Sequence, residues 1–276
     1  MMKHALGLAA MLVVVSSLRA EATWSVIALD RQSTLVVIAS ATCVPQQLLE
    51  RFPAKDLRDV QAIVVPGMGV AAAQAAVDRT RRNQDLIFQE LRKGTDPARI
   101  LQLLRADPAF ETRQFGILDM QGRAAGSSGA KNLPVSMDRQ ARVPGTDIYY
   151  AIQGNILASE AVVTDAMEAF SNGTGELTDR VMAAMEAADR KGGDKRCTCD
   201  TPPRVDAPCD GKTAHVAYLL VASPTDPIGA SREDVVYSMY LRVTDQDIAP
   251  QENANPVKTL RIRYDRWKRE RRIPRP

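Results

Sequence analysis

Two β-rich runs set the terms for the whole chain. Residues 23–30 (TWSVIALD) and 35–40 (LVVIAS) are separated only by Arg31-Gln32-Ser33-Thr34. So short a polar break between apolar, β-branched runs predicts a hairpin. The second run is apolar at successive positions, which predicts a strand covered on both faces. Only 5% of the chain is aromatic, so the layers around it must be built mainly from Ala, Val, Leu, Ile and Met.

The hairpin directly follows a leader-like segment. Lys3 supplies a positive start, residues 5–15 (ALGLAAMLVVV) an apolar centre, and Ala20-Glu21-Ala22 a small-x-small cleavage site. The apolar run falls short of the ~20 residues a membrane-spanning helix needs. Residues 1–22 therefore read as a signal peptide, 23–250 as the body, and 251–276 as a basic C-terminal helix or tail. Export, to the periplasm or beyond the cell, is the expected localisation. Cleavage after Ala22 would make Thr23 the first residue of the mature chain. A threonine there carries a hydroxyl and a free α-amine, which can act together as nucleophile and base.

Export implies an oxidising compartment. The four cysteines, Cys43, Cys197, Cys199 and Cys209, then form two disulfides, with three pairings open. Cysteines separated by one residue bridge each other poorly, which favours Cys199–Cys209 with Cys43–Cys197. A zinc site built from the three cysteines of the polar stretch 197–209 and His215 is the rival. The C-x-C spacing and the compartment both speak against it, and no metal or cofactor is expected.

The remaining pattern alternates strands with helices. Residues 62–65 read as a strand closed by Pro66-Gly67. The alanine-rich run 70–77 has helix propensity, while its place after that turn allows a returning strand. Helices follow over 85–93 and from Asp96-Pro97, where a capping residue precedes a first-turn proline. A second hairpin spans 114–126 and another strand 149–153. Apolar residues at helical spacing mark helices around Val162–Phe170 and Leu177–Ala188, and strands return over 216–221 and 235–243. A last helix from Pro256 carries Val257, Leu260, Tyr264 and Trp267 as an apolar seam. This order predicts two sheets, or one mixed sheet, layered with helices.

Four segments in this order resemble a known family: TWSVIA with the following VIAS, QFGILD with Gly122, QGNIL from Gln153, and GGDKR from Gly192. The chain is similar to the family catalogued as domain of unknown function 1028, which is grouped by fold with the N-terminal-nucleophile (Ntn) hydrolases. The resemblance implies an α/β (α+β) fold of four-layer αββα sandwich type, with Thr23 at the nucleophile position and a returning strand over 70–77. It implies no settled reaction. The cysteine-rich stretch after Arg196, and Ser127-Ser128-Gly129 in place of a Thr-Gly pattern, depart from the commoner family sequence.

On this reading Thr23 is the catalytic nucleophile and Asn155 the candidate oxyanion donor. Gly154 and Gly193 allow close backbone approach to substrate, and Asp194 and Arg196 bind a charged substrate end. The plainer alternatives are an edge-strand threonine, a turn asparagine and a structural ion pair. The expected function is an exported Ntn-type amidohydrolase acting on a peptide or cell-wall amide. The alternative is a catalytically silent module that binds a cell-wall or surface ligand. From Lys258 onward nine Lys/Arg face only Asp265 and Glu270. Export makes nucleic acid an unsuitable partner, so the tail points to an anionic surface, or to no more than a solvated face. Self-association is left open.

Overall fold

The computed structural model describes residues 23–52, 56–229 and 236–272. The expected leader, with its cleavage site at Ala22, lies outside the described residues.

Strands β1 (Thr23–Asp30) and β2 (Leu35–Thr42) form the expected hairpin. Asp30 shapes its turn by accepting from the Gln32 N–H and the Ser33 hydroxyl. The register pairs Thr23 with Thr42 and Asp30 with Leu35. Because side chains alternate along a strand, β1 divides its residues between two cores. Trp24, Val26 and Ala28 pack on helices, whereas Ile27 and Leu29 pack on a second sheet.

The hairpin sits inside a six-stranded antiparallel sheet, in the order β10-β9-β2-β1-β8-β7. The flanking strands are β7 (Met137–Arg142), β8 (Ile148–Asn155), β9 (Val216–Ala222) and β10 (Met239–Thr244). The sequence MDRQAR did not announce β7. It is a charged edge strand, and polar residues are how proteins blunt a free edge. β10 starts later than its sequence suggests, because the Asp226 carboxylate holds Ser238 through its N–H and hydroxyl. Residue 235 lies outside the described residues.

The second sheet has the order β3-β4-β5-β6, with β3 (Ala62–Val65), β4 (Gly69–Ala75), β5 (Arg113–Asp119) and β6 (Ala124–Ser128). Tertiary context overrides alanine's helix propensity in β4. Its Ala71 and Ala73 face a core that includes Ile63 and Phe115, while Val70 and Ala72 face the first sheet.

Helices α3 (Arg82–Arg92) and α4 (Pro97–Leu104) cover the second sheet with Ile87, Phe88, Leu91, Ile100 and Leu104. Asp96 caps α4 by accepting from the Ala98 N–H at 2.8 Å. Helices α5 (Ala161–Asn172) and α6 (Leu177–Arg190) cover the first sheet, and the α6 methionines Met182 and Met185 are core residues. Helix α7 (Pro256–Arg272) docks its seam of Val257, Leu260 and Tyr264 into the same core. Cations along it are tied to the body: Lys258 to Asp210, Arg261 to Glu186, Arg263 to Glu252, Lys268 to Asp179 and Arg271 to Glu176. Short helices α1 (Gln46–Leu49) and α2 (Leu57–Gln61) close one end of the space between the sheets. Among the described residues no helix is long and apolar enough to cross a membrane.

Candidate functional site

Thr23 opens β1 at the end of the sheet that α1 and α2 cover, and it is only 4% exposed. The alternation of β1 puts Thr23 and Ser25 on the side that carries Ile27 and Leu29, facing the second sheet. The Thr23 hydroxyl donates to Thr42 Oγ1 at 3.3 Å. The Thr23 carbonyl accepts from Gln74 Nε2 at 3.0 Å.

Gln74 is the junction of a buried polar network that ties the two sheets together. Its Oε1 accepts from the Ser25 hydroxyl at 2.7 Å and from Gln61 Nε2 at 2.5 Å. Its Nε2 also donates to Gln114 Oε1 at 2.7 Å. Gln114 in turn donates to the Gly154 carbonyl at 3.0 Å and to Ser128 Oγ at 2.6 Å. Tyr218 donates to Gln61 Oε1 at 3.1 Å. Gln153 reaches the facing sheet at the Ala72 carbonyl, and Gly116 leaves it room, since a Cβ there would lie 2.6 Å from Gln153 Oε1. Sequence reasoning did not single out Gln61, Gln74 and Gln114 as a site. The available clue was an amide inside otherwise apolar runs, VAAAQAAV above all. A neutral amide buried there must find partners, and these find one another.

The other expected site residues gather at the same end of the sheet. Asn155 is fully buried and lies opposite Thr23 in the β1–β8 register. Gly154 lies opposite Trp24, where a Cβ would come within 2.7 Å of Leu157. Gly193 has φ +42°, and a Cβ on it would lie 2.6 Å from the Trp24 indole. Both glycines are therefore required by packing as they stand. Asp194 is fully buried, and its carboxylate accepts from the Cys43 N–H at 3.0 Å and from Arg196 at 3.0 and 2.8 Å. That carboxylate clamps the end of β2 to the 192–197 loop and pairs with Arg196, the plainer of the two roles read from sequence. Disulfides join Cys43 to Cys197 and Cys199 to Cys209, the expected pairs. They fit an oxidising compartment.

His215 follows the same edge. It is 1% exposed, and its pKa is pushed down to about 4, first by burial and then by Lys212 and Arg196. The imidazole is thus neutral, so its 3.7 Å approach to Asp245 is not an ion pair. The unfolded chain takes up this proton near pH 6.5 and the native chain only near pH 4. Stability should therefore fall as the pH drops through that window, by at most about 1.4 kcal/mol per pH unit. Asp245, its pKa raised by burial, opposes the trend at the acid end. Urea midpoints measured from pH 7 to pH 4 check this. His215→Gln should flatten the upper part of the curve, and an unchanged slope would contradict the assignment.

The room beside Thr23 is small. The cavity lined by Thr23, Thr42, Leu57, Gln61 and Gln74 offers about 10 Å³, space for one water. A much larger cleft of about 1000 Å³ lies at the far end of β1 and β2, lined by Leu35, Val221, Met239 and Trp267. An eight-residue strand separates the two, roughly 25 Å, so the large cleft is not an entrance to Thr23.

A family model described as "Family of unknown function (DUF1028)" matches residues 23–250. The chain belongs to the DUF1028 family. Among solved structures, the crystal structure of a Silicibacter pomeroyi DUF1028 protein is similar, with a TM-score of 0.61 and 22% identity. The match covers 89% of this chain and 88% of that one. At this identity the likeness speaks to the fold. No curated protein matches the chain. The family match begins at Thr23 and stops before α7, so this DUF1028 chain carries its basic helix outside the matched region.

Proposed function

We propose that this DUF1028 protein is an exported Ntn-type amidohydrolase, with Thr23 freed as its N-terminal residue. The observation that carries the reading is the position of Thr23: first residue of a central strand, between the sheets, opposite Asn155, with its carbonyl held by Gln74. The stacking of helices, sheet, sheet and helices around it supports an Ntn-type αββα sandwich. In this mechanism Thr23 Oγ1 attacks a peptide or cell-wall amide carbonyl, and its proton passes to the α-amine. A desolvated α-amine is more readily neutral than one in water, which suits it as a base. The Asn155 side-chain amide donates to the developing oxyanion. The leaving amine takes the proton back, and water then hydrolyses the ester. Gly154 and Gly193 bring backbone close to the site, while Asp194 and Arg196 position it through the end of β2.

A second reading, a silent Ntn-fold module for a cell-wall or surface ligand, draws on the small space beside Thr23. The two separate on the mature protein. Intact mass of the exported chain should place its first residue at Thr23. Periodate, which cleaves a threonine or serine only when its α-amine is free, should then convert that residue to an aldehyde. Amide hydrolysis by the mature protein should disappear in Thr23→Ala, a loss on the order of 10³-fold or more for removal of a nucleophile. A mature chain that begins at Glu21 excludes the mechanism. A correctly processed chain whose ligand binding is untouched by Thr23→Ala, and which hydrolyses nothing, favours the module.

A further inference from the structure

The ladder of the first sheet ends on a rung that joins Thr42, Val216 and Thr244. One step further along β2, β9 and β10 come Cys43, His215 and Asp245. Register thus places a thiol residue, an imidazole and a carboxylate side by side, and the disulfide brings Cys197 to the same spot. The ligand atoms of Cys43, Cys197 and His215 all lie within 4.8 Å of one another, and all three residues are buried. Among the described residues neither His215 ring nitrogen has a hydrogen-bond partner of good geometry; the Pro202 backbone lies close enough to favour the charged imidazole, against the larger effect of burial. Among the described residues Asp245 Oδ2 also lacks a hydrogen-bond partner, although the side chain is 2% exposed and Oδ2 lies 3.7 Å from His215 Nδ1. Buried polar groups are nearly always satisfied. An imidazole within 4.8 Å of two sulfurs, beside a carboxylate oxygen that also lacks a partner among the described residues, asks for an explanation.

We propose that when the Cys43–Cys197 disulfide is reduced, the chain holds a zinc-class divalent cation on Cys43, Cys197 and His215, with Asp245 orienting the imidazole. With Nδ1 turned to Asp245, Nε2 is left as the ligand, the usual carboxylate–histidine–metal arrangement. Two Zn–S bonds of about 2.3 Å at a tetrahedral angle need the sulfurs about 3.8 Å apart. The 5.7 Å Cα spacing accommodates that by side-chain rotation. A dithiol supplies the two electrons and two protons that open the disulfide and is itself oxidised to a disulfide. Cation binding then releases both thiol protons. The two thiolates neutralise the cation, and Asp245 faces the charge of Lys212. Three protein ligands leave a fourth position for water. This set differs from the 197–209 cluster that the sequence suggested and set aside, since Cys43 lies 154 positions from Cys197. Disulfide and cation are alternative occupants of one anchor, and the proposal is independent of any reaction at Thr23.

The test uses the full mature chain carrying Cys199→Ser and Cys209→Ser, so that the other pair cannot bind metal. The protein is reduced with a dithiol, freed of reductant under anaerobic conditions, and titrated with Co²⁺ as probe. Circular dichroism reports the fold. We expect a thiolate-to-cobalt absorption band that saturates at one equivalent, is bleached by Zn²⁺, and is absent from the oxidised protein. Cys197→Ser should abolish it, and Asp245→Asn should weaken binding by about 10–100-fold. His215→Ala should weaken binding by at least as much as Asp245→Asn. The proposal is overturned by a reduced, folded protein without the band, by unchanged affinity in His215→Ala, or by a reduced chain that unfolds and fails to refold on adding the cation.

Discussion

Replacing Cys43 and Cys197 with alanine should destabilise the protein far more than replacing Cys199 and Cys209. The first bridge closes a loop of 154 residues' separation and the second one of 10. Chain entropy alone then assigns about 5 kcal/mol to the long bridge and about 3 kcal/mol to the short one. The long bridge also acts on the site. Cys43 follows Thr42, the hydroxyl partner of Thr23, and its N–H is held by Asp194. Loss of the bridge should therefore raise hydrogen exchange at the end of β2, whereas loss of the short bridge should leave that strand protected. Urea unfolding of the two double variants gives the ranking. Equal midpoints would show that the unfolded chain is not what the long bridge constrains.

The second large effect is expected at Gln74. One side chain there accepts from Ser25 and Gln61 and donates to Thr23 and Gln114. Gln74→Ala leaves these groups buried without that partner, each at about 1–3 kcal/mol unless water enters. A loss of about 3 kcal/mol or more is the expected result, large for a single substitution. Gln74→Glu keeps the acceptor but not the two donated bonds, so it should release the Thr23 carbonyl and the Gln114 amide while sparing Ser25. If Thr23 is the nucleophile, both variants should lower turnover with little change in KM, because the contact positions Thr23 and does not touch substrate. Stability within about 0.5 kcal/mol of the parent in Gln74→Ala would show that the network is dispensable.

Much of the architecture was legible in the chain because it is written in local periodicity. The β1–β2 hairpin, the Asp96-Pro97 helix start and the apolar stripes of α5, α6 and α7 all follow from patterns a few residues long. β4 and β7 were harder for opposite reasons. The alanines of β4 favour a helix in isolation and become strand only between two cores. β7 carries the polarity of a loop because it is an edge.

Of the site, the chain by itself pointed to Thr23 through the cleavage motif, to Asn155 through its place after a strand and a glycine, and to the pairing of the cysteines. Their spacing set aside only a Cys197–Cys199 bridge and left two pairings, of which the structure shows the expected one. Only the tertiary structure decided what surrounds them. Gln74 meets Thr23 across 51 positions and Gln114 across 40, and Asp194 meets Cys43 across 151. The side chains that meet this way come from different strands and different sheets. Which of them face each other depends on strand register and on how the two sheets stack. A shift of one residue in β4 would turn Gln74 away from the first sheet and leave the Thr23 carbonyl without it.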